Sequence, residues 1–205
     1  QMRAVWGNLW GEKIWYMLRG IQIDTEKSDR HSIGHSQVLS PEHRPPDHAR
    51  IVARRLMIKT AARLRRMKMK TRQLSLSART EDGYRFAAET SFQPVQDSFT
   101  LLDLLDDLWQ RIAPQMRGKR LKKVSITVSS LSDEEHTQSD LFDTVPHAEK
   151  EQKEKFARIS EAMDQLNHKF GRDTIMPGLL KDQSRNFSGT KVAFTRIPDM
   201  EEFLE

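Results

Sequence analysis

The sequence predicts an α+β domain in the order β-α-β-β-α-β, a four-stranded sheet with two helices on one face and further helices at its flanks. Three observations carry this. Residues 71–92 read as a β-hairpin, two alternating runs around an Asp82-Gly83 turn. Two segments, 48–70 and the stretch after Asp97, repeat their apolar residues at helical spacing. Leu121–Ser129 alternates again, with Val124, Ile126 and Val128 on one side.

Taken in order, residues 2–18 carry Trp6, Trp10, Ile14, Trp15 and Leu18, which predicts a helix with a strongly apolar face that needs a partner. A partner outside this sequence, in a longer protein, is the expectation. Gly20 suits its end, and Asp24 to Arg30 reads as a charged tether. Residues 32–39 form a short strand candidate whose internal Gly34 signals close backbone approach. Pro41, Pro45 and Pro46 break the chain before Asp47, a credible N-cap.

In the first helix of the core, Val52, Leu56, Thr60, Leu64 and Met67 line one face, with Ala53 and Met57 beside them, while Arg54, Arg55, Arg65 and Arg66 lie opposite. Ser98 or Asp97 caps the second, where Leu101, Leu104, Leu105, Leu108 and Ile112 form the stripe before Pro114 and Gly118. Tyr84 and Phe86 share one parity and are assigned to the core. Beyond Leu131 the chain turns acidic. Pro146 opens a charged helix with a seam of Phe156, Ile159, Met163 and Leu166, and residues 191–197 offer one more strand.

The chain has 205 residues, no cysteine and a net charge of +5. Disulfides and thiolate ligands are excluded, and no apolar run reaches the roughly 20 residues of a membrane span. The charge is segregated. Residues 41–130 hold 19 Lys and Arg against 9 Asp and Glu, and residues 131–205 hold 10 against 16. A basic middle beside an acidic tail predicts a polyanion partner for the middle.

The second face of the hairpin points the same way. Gln73, Ser75, Ser77 and Arg79 alternate with Leu74, Leu76 and Ala78, and Lys123, Ser125 and Thr127 repeat that chemistry on the last strand. Donors and cations of this kind hold phosphates without reading bases. Ser32, Gly34, His35 and Arg85 are added as candidate contacts of the same polyanion, His35 as a phosphate donor. His31, His35, His43 and His48 have no metal-site spacing, and Asp103, Asp106 and Asp107 read as a solvated helix face. No catalytic motif, cofactor site or metal site is read from the residues.

Gln138-Ser-Asp-Leu-Phe142 joins a polar hook to two adjacent hydrophobes in an acidic segment, the composition of a docking peptide.

Val5-Trp-Gly-Asn-Leu-Trp10 through Leu18-Arg-Gly20, Ser32-Ile-Gly34, the hairpin, the leucine-rich helix and Lys122-Lys-Val-Ser-Ile-Thr127 follow one another as in the C-terminal part of Y-family translesion DNA polymerases of the bacterial polymerase IV and V type, which residues 1–131 resemble. Ala162-Met-Asp-Gln-Leu-Asn167 is similar to the polymerase V tail.

The resemblance implies the end of a thumb at 1–24, a tether at 25–31, a DNA-binding little finger at 32–131, a flexible segment at 132–145 and a helical tail at 146–205. It implies that Gln138, Ser139, Asp140, Leu141 and Phe142 bind the bacterial sliding clamp, with Ser139 standing where the family usually has leucine. Template-primer DNA is the implied partner, with other SOS repair proteins beside it, in the bacterial cytoplasm near the nucleoid and away from membranes. Nucleotidyl transfer with Mg2+ belongs to a palm outside this sequence, so the fragment would bind DNA and not polymerise. Two alternatives of the same fold remain open: an RNA-binding domain, which would need aromatics on the open face, and a protein-interaction module.

Overall fold

The computed structural model describes residues 5–7, 9–21, 31–133, 147–171 and 174–178. The chain forms two compact units, Gln1–Arg30 and His31–Glu205. The first contains α1 (Leu9–Met17); Trp10 in it and Trp6 before it are more than half exposed. Arg19 lies 3.4 Å over the Trp15 ring. That contact covers one tryptophan face with a cation.

The second unit runs β1 (Ser32–Val38), a 3-10 turn (Pro41–His43), α2 (Pro46–Arg66), β2 (Met69–Thr80), β3 (Arg85–Val95), α3 (Ser98–Met116), β4 (Leu121–Ser129), β5 (Ser132–Asp133) and α4 (His147–Phe170). This is the predicted β-α-β-β-α-β order. The main sheet is antiparallel throughout in the order β1-β4-β2-β3. The two-residue β5 adds a fifth strand to β2, pairing Met69 with Asp133 and Lys70 with Ser132.

Alternation sets the two faces. Leu74, Leu76 and Ala78 of β2 and Val124, Ile126 and Val128 of β4 are buried under the helix layer. From α2 come Val52, Ala53, Leu56, Met57, Ala61 and Leu64, and from α3 Leu101, Leu102, Leu105, Leu108, Trp109 and Ile112. Thr60 is buried among them because its hydroxyl donates to the Leu56 carbonyl at 2.8 Å.

Helix ends differ from the sequence reading in instructive ways. The first core helix stops at Arg66 instead of reaching Lys70, because Lys68 takes a φ of +53° and Met69 and Lys70 pair in β2. Asp47 lies within the first turn, and Pro45 holds the cap position. Asp97 does cap α3, its Oδ1 accepting the Thr100 N–H at 2.8 Å. Pro114 is inside α3, which runs on to Met116.

The tail helix α4 docks on the helix layer through Phe156, Ser160 and Asp164, of which Phe156 belongs to the expected seam. Ser160 is fully buried and accepts the Ser98 N–H at 3.1 Å, at the first turn of α3. Phe156 stacks on Phe99 with ring centroids 4.9 Å apart. Arg65 grips Asp164 with both arms of its guanidinium. Of the expected seam, Phe156 and Met163 are half-buried, whereas Ile159 and Leu166 are exposed. The expected strand at 191–197 lies outside the described residues.

Candidate nucleic-acid interface

Ladder partners in an antiparallel sheet point to the same side, so the register assembles the open face row by row. The first row is Ser32, Ser129, Gln73 and Ser91; the second is Gly34, Thr127, Ser75 and Glu89. The third is Ser36, Ser125, Ser77 and Ala87, and the fourth is Val38, Lys123, Arg79 and Arg85. Hydroxyls fill the centre. Three cations stand side by side at one end.

That end row is electrostatically unfavourable by itself. Directly opposed side chains sit about 5 Å apart at Cβ, and like charges so placed repel. The row contains no carboxylate, and Glu81, two residues beyond Arg79, is held by Arg44 and by Arg120, the latter at 3.5 Å. Arg120 also donates to the Pro41 carbonyl at 2.8 Å, and the Leu121 N–H donates to the Arg44 carbonyl at 2.8 Å. These bonds tie the loop after β1 to the hairpin and to the start of β4. The row is therefore displayed on a braced sheet end.

Two side-chain details shape the rest of the face. A Cβ on Gly34 would come within 3.1 Å of the Thr127 hydroxyl and 3.2 Å of the Ile126 carbonyl, so the absent side chain leaves room for Thr127. The close approach signalled by this glycine is to β4. Ser129 donates to Gln73 Oε1 at 2.8 Å, which orients the amide on the face. Ser36, Ser91 and Ser129 complete the hydroxyl rows and were not singled out in the sequence; continuing the same parity along β1, β3 and β4 would have found them.

His35 is a correction. It pairs with Ile126, whose side chain is buried under the helices, so it faces the helix layer and its Nε2 is buried. It is not on the open face. Ser32, Gly34, Gln73, Ser75, Ser77, Arg79, Arg85, Lys123, Ser125 and Thr127 all are.

The basic side of α2 has acidic partners of its own. Arg50 and Arg54 bind Asp106 of α3, and Arg65 is spent on Asp164, the Gln96 carbonyl at 2.8 Å and Ser98 Oγ at 3.1 Å. These arginines hold elements together behind the sheet. Asp106 is thus an ion-pair partner, not a solvated residue. Asp103, on the same helix, has its carboxyl raised above the usual range, first by desolvation and then by the neighbouring Asp106.

Tyr84 is 62% exposed and does not join the core, unlike half-buried Phe86. His43 pairs through Nδ1 with Ser40 Oγ, and His48 through Nδ1 with the Glu42 carbonyl, both at 2.8 Å. Among the described residues no group of acidic or imidazole side chains is arranged to hold a metal ion, and none forms a membrane-spanning helix. Gln138, Ser139, Asp140, Leu141 and Phe142 lie outside the described residues.

Fold and face together define an α+β domain with a helix-covered side and an open, hydroxyl-rich, cation-ended side. The chain belongs to the impB/mucB/samB family, whose C-terminal-domain model matches residues 30–141. The resemblance read from the sequence holds over these residues. No curated protein matches the sequence.

Among solved structures, a post-insertion binary complex of Dbh DNA polymerase is similar at 8% identity and a TM-score of 0.44, over 64% of this chain and 38% of that one. A Y-family polymerase chimera of Dbh and Dpo4 gives 9% and 0.45, with the same coverage. A complex of the beta-clamp processivity factor with the little finger domain of PolIV gives 14% and 0.41, over 56% of this chain and all of that one. At these TM-scores the likeness is loose. The chain spans 38% of the length of the Dbh polymerase it matches.

Proposed function

We propose that this chain is the duplex-holding, clamp-tethered C-terminal region of an error-prone translesion DNA polymerase acting in damage tolerance in the bacterial cytoplasm. The open face binds template-primer DNA through its phosphates, and Gln138, Leu141 and Phe142 attach the region to the sliding clamp. Membership of the impB/mucB/samB family supports the polymerase context. The observation that carries the DNA reading is the row Lys123, Arg79 and Arg85, three like charges across three strands beside rows of hydroxyls.

A phosphate backbone relieves the repulsion in that row and accepts hydrogen bonds from the serines and Thr127. The four rows hold no aromatic residue on which an unpaired base could stack, and one acid, Glu89. This favours duplex holding over the base stacking of an RNA-recognition module. Mg2+ and nucleotidyl transfer are assigned to a palm elsewhere in a longer protein. The acids Asp103, Asp106 and Asp107 along α3 do not fit the ion, because Asp106 is taken by Arg50 and Arg54.

A salt titration of binding to a primed duplex tests the reading. Each phosphate neutralised contributes about −0.9 to the slope of log K against log salt, so the row alone predicts a slope near −3. Binding that is independent of salt, or absent at low salt, overturns it. For the tether, replacing Leu141 and Phe142 with alanine abolishes clamp binding and leaves DNA affinity unchanged; equal loss of both contradicts the division of labour.

A further inference from the structure

At the end of the hairpin nearest the cation row stands an aromatic ring that the duplex grip does not use. Tyr84 immediately precedes Arg85, and its backbone is fixed by its carbonyl, which accepts the Thr80 N–H at 2.9 Å. Its side chain is nevertheless 62% exposed. Phe86, two residues on and of the same parity, is half-buried against the core, so the exposure of Tyr84 comes from its place at the strand's end.

Lys119 completes the site. Its ammonium lies 4.5 Å from the Tyr84 ring centroid and 5.2 Å from that of Phe86. The turn that ends α3 holds it there: Gly118 takes a φ of +72°, and the Lys119 N–H donates to the Met116 carbonyl at 3.0 Å. A cation over one face of a ring leaves the ring's exposed surface for another flat π system. The Lys119 charge stands ready for the adjoining phosphate.

We propose that Tyr84, backed by Lys119, is a stacking ledge for an unpaired base of the DNA strand that runs off the end of the duplex held on the open face. The inference rests on the duplex-holding reading and extends it. Arg79 and Arg85 hold the last phosphates on the open side, and Tyr84 lies one residue away on the other side of the hairpin end. A paired strand is too stiff to turn that corner. A single strand can, and every base presents a face to an aromatic ring whatever its identity.

The test compares three probes with the whole chain: a blunt duplex, the same duplex with a base-bearing single-stranded overhang, and the same duplex with an abasic overhang that keeps the phosphates. The expected result is tighter binding of the base-bearing overhang than of the abasic one by roughly tenfold. Tyr84→Ala abolishes that ratio and leaves blunt-duplex affinity unchanged, whereas Tyr84→Phe keeps it. A wild-type chain that binds the two overhangs equally overturns the ledge, and so does Tyr84→Ala with an intact ratio. An equal loss on all three probes also overturns it, showing that Tyr84 acts only by packing. Failure to bind even the blunt duplex at low salt overturns the duplex-holding reading itself and the ledge with it.

Discussion

Arg65 of α2 meets Asp164 of α4 in a two-armed ion pair, Nε to Oδ2 at 2.6 Å and Nη2 to Oδ1 at 2.8 Å. The Arg65 side chain is 7% exposed and also donates to the Gln96 carbonyl, so one guanidinium joins α2, the start of α3 and the tail helix. Removing one partner strands the other charge. The charge that Asp164→Ala leaves behind is the buried Arg65, which keeps only its bonds to the Gln96 carbonyl and Ser98 Oγ, so the cost should be about 2–4 kcal/mol. Hydrogen exchange checks it: amides of α4 should lose protection while those of β2 and β4 keep theirs. A uniform loss across the sheet would contradict a local latch.

Gly34 is the second test. With ordinary backbone geometry, Gly→Ala in a strand stabilises slightly by restricting the unfolded chain. Here the added Cβ meets Thr127 Oγ1 at 3.1 Å, so Gly34→Ala should instead destabilise by about 1 kcal/mol and weaken DNA binding by displacing the Thr127 hydroxyl. Adding Thr127→Ala should recover part of the stability and none of the binding. The recovery stays partial because the Ile126 carbonyl, 3.2 Å away, remains. Thermal melts and duplex titrations on the single and double variants separate the two effects.

Which of these features could be read from the sequence depended on how many residues voted for each. The hairpin had a turn signal and seven alternating positions from Gln73 to Arg79, and the faces of that strand came out correctly. In β1 the alternating positions inside are Ile33, His35 and Gln37, so a single apolar residue set the phase and His35 was placed on the wrong side. Only its pairing with Ile126 fixes the parity. The arginines of α2 looked like a free basic face because their partners lie 52 to 99 positions away, at Asp106 and Asp164. The docking face of α4 was legible at Phe156 and Met163 and missed elsewhere for a related reason. Ser160 and Asp164 dock by hydrogen bond and charge, while the apolar Ile159 and Leu166 remain exposed.

Asp103 gives a pH signature. Its carboxyl is raised above its usual value, so the folded chain penalises the charged form. The penalty is present above the folded pKa and is relieved as pH falls through it. Asp103→Asn should therefore raise Tm at neutral pH, and the advantage over wild type should shrink as the pH is lowered through the carboxylate range. A gain that persists unchanged in acid would assign the effect to packing.

Glu89 sets the path of the phosphate track. It is the one acid in the four rows, paired with Ser75 on the edge strand β3, two rows from Arg79 and Arg85. A backbone lying straight across the hydroxyl rows would meet it, whereas a diagonal path from Gly34 and Ser36 on β1 to Arg79 and Arg85 passes it by. On this path Glu89 repels the duplex only at a distance, which salt screens over about 8–10 Å. Glu89→Gln should thus tighten binding by a few-fold at low salt, with the gain fading as salt rises. Glu89→Lys should add a phosphate contact and steepen the salt slope by about one unit. Lys123→Gln, Arg79→Gln and Arg85→Gln should each lower affinity and flatten the slope by about one unit, uniformly across duplex sequences. An unchanged slope in all three would move the duplex off this face altogether, because no other row on it carries a cation.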